Sequence, residues 1–197
     1  MISHIVHIDQ QFFLFINSLH SPFFDQVMHA LSGIIIWLPL YLAILIYLGK
    51  RNRRKFLIII LFIAVAATLS DQFSVLIKNI VQRPRPCHDP ALSGLVHLFR
   101  AECGGLYGFV SSHATNSFDV ALLSLLFIKK RWFTISILIW ASVISYSRVY
   151  LGVHYPCDVV CGAILGSFIG WSVYNLYVIT DNKILKNRPY FNPDSSS

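Results

Sequence analysis

Five stretches of the chain, at roughly 28–49, 56–82, 114–128, 132–150 and 157–179, are apolar enough and of the length needed to cross a bilayer. Spans of about 20 such residues cover the hydrocarbon core. The composition points the same way: of 197 residues 55% are hydrophobic and only 13% charged, far from the balance of a soluble domain. The expected fold is therefore all-α, a polytopic membrane helical bundle with about five transmembrane helices in one domain over 1–179. Residues 180–197, ending in PDSSS, read as a short cytoplasmic tail. There is no internal repeat and no second domain.

A net charge of +7 could suggest nucleic acid, but the sixteen basic residues are sorted by side. Lys50, Arg51, Arg53, Arg54 and Lys55 fill the first connection, Lys129, Lys130 and Arg131 the third, and Lys183, Lys186 and Arg188 follow the last span. By the positive-inside rule these face the cytoplasm, so the charge fits a bilayer and not nucleic acid. Lys78, Arg83, Arg85, Arg100 and Arg148 fall at or near the opposite face, against that rule.

No Lys or Arg precedes position 50, so the basic start of a secretory signal is missing and the first span is expected to be retained. Upstream of it, Ile5, Ile8, Phe12, Phe15, Ile16 and Leu19 recur at helical spacing against His4, Gln11 and Asn17. They predict an N-terminal amphipathic helix lying in the outer interface. A sixth crossing over residues 4 to 20 is disfavoured by Asp9, Gln10 and Gln11 at its middle.

Cys87 and Cys103 both fall in the long outer connection, where an oxidising compartment lets them pair; Cys157 and Cys161 read as small apolar side chains. A zinc site built from cysteines with His88 or His97 lacks the close CxxC pairing such sites use. No metal and no cofactor is expected.

Three polar clusters mark the same face. The first sets Lys78 two helical turns beyond Asp71 and ends in QRPRP at 82–86, where the prolines stop the helix near Arg83 and hold Arg85 in extended chain. Read alone, Lys78 snorkels and the arginines meet headgroups. The second is GFVSSHATNSF at 108–118: Ser111 or Ser112 can cap the third span, and the free amides of its first turn suit an anion, with His113 alongside. An ordinary serine cap beside an interfacial histidine would look the same. The third is SRVYLGVHYPCD at 147–158, in which Asp158, four residues after His154, can reach a ring nitrogen. An Arg148–Asp158 salt bridge is the rival account, though a histidine between opposite charges is a poor packing contact. With five spans, all three clusters emerge on one side. Three cations, a helix N-terminus and two histidines then surround a pocket suited to a phosphoryl group.

Taken together these residues resemble the type 2 phosphatidic acid phosphatase superfamily, whose signatures are Lys-x6-Arg-Pro, Pro-Ser-Gly-His and Ser-Arg-x5-His-x3-Asp. Here they stand as Lys78-NIVQRP-Arg85-Pro86, Val110-Ser111-Ser112-His113 and Ser147-Arg148-VYLGV-His154-YPC-Asp158. Val110 replaces proline and Ser112 replaces glycine; Ser111 and His113 remain. The resemblance covers 78–158.

It implies that His154 is the nucleophile, forming a phosphohistidine, that Asp158 orients its ring, and that His113 is the general acid and then the base. Lys78, Arg85, Arg148, Ser111 and the amides near Ser112 would hold the phosphate oxygens. For that chemistry His154 must be neutral while His113 is protonated, so their environments must differ. The implied substrate is a lipid phosphate or diphosphate at the outer headgroup level. Undecaprenyl diphosphate, phosphatidic acid, phosphatidylglycerol phosphate and lipid A phosphates all fit, with a lean towards a bacterial polyprenyl or glycerophospholipid substrate in the inner membrane. A phosphotransferase using the same histidine is the nearest rival. A transporter, channel or lipid-binding scaffold would leave the three clusters unexplained.

Gly162, Gly166 and Gly170 follow Asp158 at intervals of four, a small-residue stripe that lets a neighbouring helix approach closely, most simply one in the same bundle. Asp71 and Asp119, at membrane depth, are expected to face the interior or a water-filled cavity.

Overall fold

A computed structural model of the protein describes residues 2–186. Seven α-helices follow in order: α1 (Ile2–Ser18), α2 (Pro22–Ser32), α3 (Leu38–Arg51), α4 (Phe56–Val81), α5 (Ser112–Ile128), α6 (Arg131–Tyr150) and α7 (Pro156–Lys186). Short 3-10 turns occupy Ile35–Trp37 and the long connection from α4 to α5. No β-strand forms among the described residues, so the all-α membrane bundle read from the sequence is what the chain builds.

Helices α4, α6 and α7 are each long and apolar enough to cross a membrane. The expected first span, 28–49, is not one helix. It breaks after Ser32, where Gly33 is extended (φ −77°, ψ 145°), and α2 and the segment from Ile35 to Arg51 meet at 66°. Pro39 supplies the fixed φ that restarts the helix. The expected span at 114–128 is the 17-residue α5, about 25 Å long at the α-helical rise. It packs against α7, α6 and α4, so protein rather than lipid surrounds it, which is why its sequence admits Thr115, Asn116, Ser117 and Asp119.

The glycine stripe makes that arrangement possible. A Cβ on Gly162 would lie 2.7 Å from the Ser111 carbonyl oxygen, and one on Gly166 only 2.0 Å from that of Thr115, so α7 rests directly on the α5 backbone. Toward the basic end, Ile44, Leu48, Ile59, Ile128, Phe133 and Ile137 form the core. There Lys55 pairs with Asp181 at 2.7 Å, Lys130 lies over Tyr47 and Lys129 over Tyr174, so the connections 50–55 and 129–131 share one end of the bundle.

Helix α1 forms where the periodicity predicts, and Ile8, Phe12, Phe15 and Leu19 are exposed on one face, free to meet lipid. Ile16 belongs instead to the inner face, with Asp9, Phe13 and Asn17, all buried against the connections at the far end. The Ile5 side chain lies outside the described residues. Helix α7 runs beyond Thr180 to Lys186; Arg188 and the PDSSS end lie outside the described residues.

Candidate active site

The end opposite the basic connections is assembled from helix termini. Helix α4 closes with Gln82 in the left-handed conformation, and the chain then runs extended through Arg83–Arg85. That run is held by the returning segment: the Arg85 N–H donates to the Leu106 carbonyl at 3.0 Å and the Gly108 N–H to that of Arg83 at 2.9 Å. Cys87 and Cys103 are joined as a disulfide, Cα atoms 6.1 Å apart, which fastens the same two arms further out. His97 does not join the cysteines. It pairs with Asp25 at 3.0 Å and stacks on His20.

Ser111 caps α5: its buried Oγ accepts the Ala114 N–H at 3.4 Å, and its own N–H donates to the Asp158 carbonyl at 3.0 Å. The sequence reading counted Ser111 among phosphate-holding groups; its hydroxyl already serves the helix end. Ser112 faces the other way, hydrogen-bonded to Lys78 Nζ and, at 2.7 Å, to Ser74 Oγ. The first and second clusters therefore touch.

Between α6 and α7 the chain turns through Leu151–Tyr155. Gly152 (φ +81°) lets the turn slip beneath the outer connection, where a Cβ would lie 2.5 Å from the His97 carbonyl oxygen. Asn17 of α1 ties both layers, its side-chain amide donating to the carbonyls of His97 at 3.0 Å and Tyr150 at 2.8 Å. His154 ends up 1% exposed. Its Nε2 lies 3.2 Å from Arg85 Nη1, and its Nδ1 faces Asp158 Oδ2 at 3.5 Å. The same Asp158 oxygen accepts the Tyr155 N–H at 3.0 Å.

Asp158 does not pair with Arg148, as the simplest structural account had it. Its partner is Arg83, whose Nη1 donates to Asp158 Oδ1 at 2.9 Å. Burial works against the Arg83 charge, but Asp158 and Asp9 outweigh it and hold the guanidinium above its ordinary range. His154 goes the opposite way: burial first, then Arg85, Arg148 and Lys78, push it well below the usual imidazole range. The ring is neutral at neutral pH, and a lone pair on Nε2 can face outward.

His113 is largely buried and has Arg148, His154, Arg85 and Lys78 around it, the same burial and the same three cations that surround His154, so the structure does not give the two rings the different environments that the sequence expectation required. His113 and Arg148 share a polar cavity of about 160 Å³ with His29 and Glu102. On its other side His113, with Ser112, lines a second cavity of about 330 Å³ that reaches Asp71, Trp37 and Tyr41 at the bend between α2 and α3. Arg85 Nε and Arg148 Nε are buried with no acceptor among the described residues. A tetrahedral anion there would meet both guanidinium groups, the Lys78 ammonium and the first turn of α5.

Lys78, Arg85, Ser112, His113, Arg148, His154 and Asp158 thus converge. Arg100 stays exposed on the outer connection, its guanidinium over Phe99. Asp119 is buried against α7, while Asp71 is exposed at the cavity edge. Asp9 and the fork of Arg83 adjoin these residues and were not among the candidates read from the sequence. A trace of Asp9 exists in sequence, since Asp9, Phe13, Ile16 and Asn17 form an i, i+4, i+7, i+8 stripe of their own.

The PAP2 superfamily profile matches residues 55–180. A lipid A 4'-phosphatase of Bacteroides thetaiotaomicron is 42% identical over 88% of this chain and 79% of its own length. One of Porphyromonas gingivalis is 28% identical over 92% of this chain and 78% of its own. Among solved structures, Aquifex aeolicus LpxE superposes with a TM-score of 0.65 at 25% identity, covering 84% of this chain and 93% of that one.

Proposed function

The chain belongs to the PAP2 superfamily and is an integral membrane phosphatase, and we propose that it cleaves a phosphate monoester from lipid A or a close lipid relative at the outer face of a bacterial inner membrane. One observation carries the chemistry: a neutral, buried His154 whose Nε2 meets Arg85 within a ring of cations that includes Lys78 and Arg148. The substrate class rests on the two lipid A 4'-phosphatases, each matched over more than three quarters of its length. They shift the weight from a polyprenyl or glycerophospholipid substrate to a phosphorylated saccharolipid. Orientation rests on the basic connections, which belong inside.

In this reading His154 Nε2 attacks phosphorus, forming a P–N bond as the P–O bond to the lipid breaks. The negative charge of the bound phosphate offsets the cations around His113, which then carries a proton and gives it to the departing alkoxide. Lys78, Arg85, Arg148 and the α5 N-terminus hold the three equatorial oxygens, and Asp158 keeps the Nδ1–H of His154 in place. Water then attacks the phosphohistidine, His113 takes its proton, and orthophosphate leaves as His154 recovers its lone pair. Ser111 contributes by capping α5 and Ser112 by holding Lys78. The fixed cations offset the phosphate charge that a metal would otherwise neutralise, so turnover should persist in excess chelator.

The test is phosphate release by detergent-purified protein from lipid A, phosphatidic acid, phosphatidylglycerol phosphate and undecaprenyl diphosphate, with His154→Ala as control. Lipid A should be turned over best and the control should lose at least roughly a thousandfold. Undiminished release by His154→Ala would overturn the mechanism. Preference for undecaprenyl diphosphate would overturn the substrate. Added alcohol or sugar acceptors should gain no phosphate, which separates a hydrolase from a phosphotransferase.

A further inference from the structure

Helix α1 lies outside the segment that the family profile matches, yet its Asp9 is buried and both carboxylate oxygens are engaged at the site. Oδ1 accepts the Cys157 backbone N–H at 2.9 Å and Oδ2 accepts Arg83 Nη2 at 2.7 Å. Arg83 gives its other terminal nitrogen to Asp158 at 2.9 Å. A single guanidinium therefore joins the N-terminal helix to the carboxylate that faces His154. Its plane is steadied by the Tyr155 ring, 4.0 Å away, whose hydroxyl donates to Asp89 at 2.7 Å; Gln10 of α1 donates to the same Asp89 oxygen at 3.1 Å.

We propose that Asp9 and Arg83 are positioning residues for the reaction: α1, acting through the Arg83 fork, fixes Asp158 and with it the His154 ring, and the Asp9–Arg83–Asp158 string sets how much carboxylate charge the imidazole meets. The inference rests on the reading of His154 and Asp158 given above.

A lone carboxylate beside an imidazole favours its protonated form, which would disarm a nucleophile. Arg83 on the far oxygen of Asp158 draws part of that charge away. Asp9 in turn keeps Arg83 from closing wholly on Asp158. Around His154 stand Asp158, Arg85, Arg148, Lys78 and His113; around Arg83 stand Asp158, Asp9, Tyr155 and Asp89; around Asp9 stand Arg83, Cys157 and Cys161. Packing alone would not call for such a string. Phe13 and Asn17 already seat α1, and a buried ion pair costs desolvation that apolar residues avoid.

The two charges of the string predict opposite changes. Asp9→Asn removes a negative charge and frees Arg83 to pull harder on Asp158, so the acid limb of the kcat–pH profile should move to lower pH. Arg83→Gln removes a positive charge and exposes His154 to the whole of Asp158, so the limb should move to higher pH. Each should lower kcat roughly 10- to 100-fold, the scale on which outer partners of an orienting group count. KM should stay within about twofold, since neither residue faces the phosphate. Asp9→Glu should restore much of the loss. Arg83→Lys, charged but without a fork, should leave the limb near its native place while kcat falls.

The measurement is steady-state phosphate release by the full-length protein with lipid A, or whichever lipid of the panel it turns over, on variants shown to be folded by gel filtration and melting. Limbs that move in opposite senses with KM steady support the proposal. Native kcat and an unmoved limb in both Asp9→Asn and Arg83→Lys overturn it, as do shifts of the same sign in Asp9→Asn and Arg83→Gln. Should Arg83→Gln fail to fold, Asp9→Asn with Arg83→Lys decides alone. If His154→Ala keeps turnover, the proposed function fails; if it is dead while the Asp9 and Arg83 variants behave as native, only this inference fails.

Discussion

His154 is a base folded into a place that resists its charged form. In the unfolded chain the ring takes a proton near pH 6.5; in the folded protein burial, Arg85, Arg148 and Lys78 keep it from doing so. Below that pH the unfolded state therefore binds a proton that the folded state refuses, and stability from this residue falls as pH drops through about 6.5 and is level above it. Melting curves in detergent from pH 8 to 5 should show a loss on acidification that is smaller in His154→Gln. Asp158→Asn should fold and lose roughly 10²- to 10⁴-fold in kcat, the scale set by removing the orienting acid of a histidine. At this scale the six residues Lys78, Arg85, His113, Arg148, His154 and Asp158 were legible because each motif is local and its spacing is chemical. Asp9 was not. It meets Arg83 across 74 positions and Cys157 across 148, and no periodicity reports a contact of that reach.

Helices α5 and α7 carry two parts of the candidate site, Ser111–His113 at the start of one and Asp158 at the start of the other, so their separation bears on its width. Gly166→Ala puts a methyl carbon where only 2.0 Å is free beneath the Thr115 carbonyl. It should cost about 1–3 kcal/mol or more by overpacking and lower the melting temperature. Turnover should fall with it even though no motif residue is touched. On the outer connection, reducing the Cys87–Cys103 bond, sixteen positions apart, should remove on the order of 3 kcal/mol. A reductant-dependent drop in melting temperature that Cys87→Ser abolishes would show it. The small-residue stripe was readable because intervals of four line one helical face. The bend at Gly33 was not, since hydropathy runs on unbroken through Ile34–Ile36 while the backbone turns. Helix α1 was half readable: its lipid face is apolar and periodic, but its inward face is chosen by Arg83 and the outer connection, and so is partly polar.

Over the whole molecule, basic connections gather at one end and the candidate site at the other, joined by helices that pack around α5. Single cysteines placed at Arg53 and at Leu95, in a background with the native free cysteines removed, should label from opposite sides of intact cells, Leu95 from outside. Labelling of Arg53 from outside would reverse the orientation proposed here. The sequence by itself determined that this chain is a bundle of membrane helices and which short motifs bear cations and imidazoles, because hydropathy, proline and chemical spacing act over a few residues. Only the tertiary structure decided that Asp9 of α1 meets Arg83, that Ser111 caps while Ser112 holds Lys78, and that Arg83 rather than Arg148 meets Asp158. Those choices depend on which buried charges find one another when distant helix ends meet, and desolvation makes each such choice a property of the assembled whole.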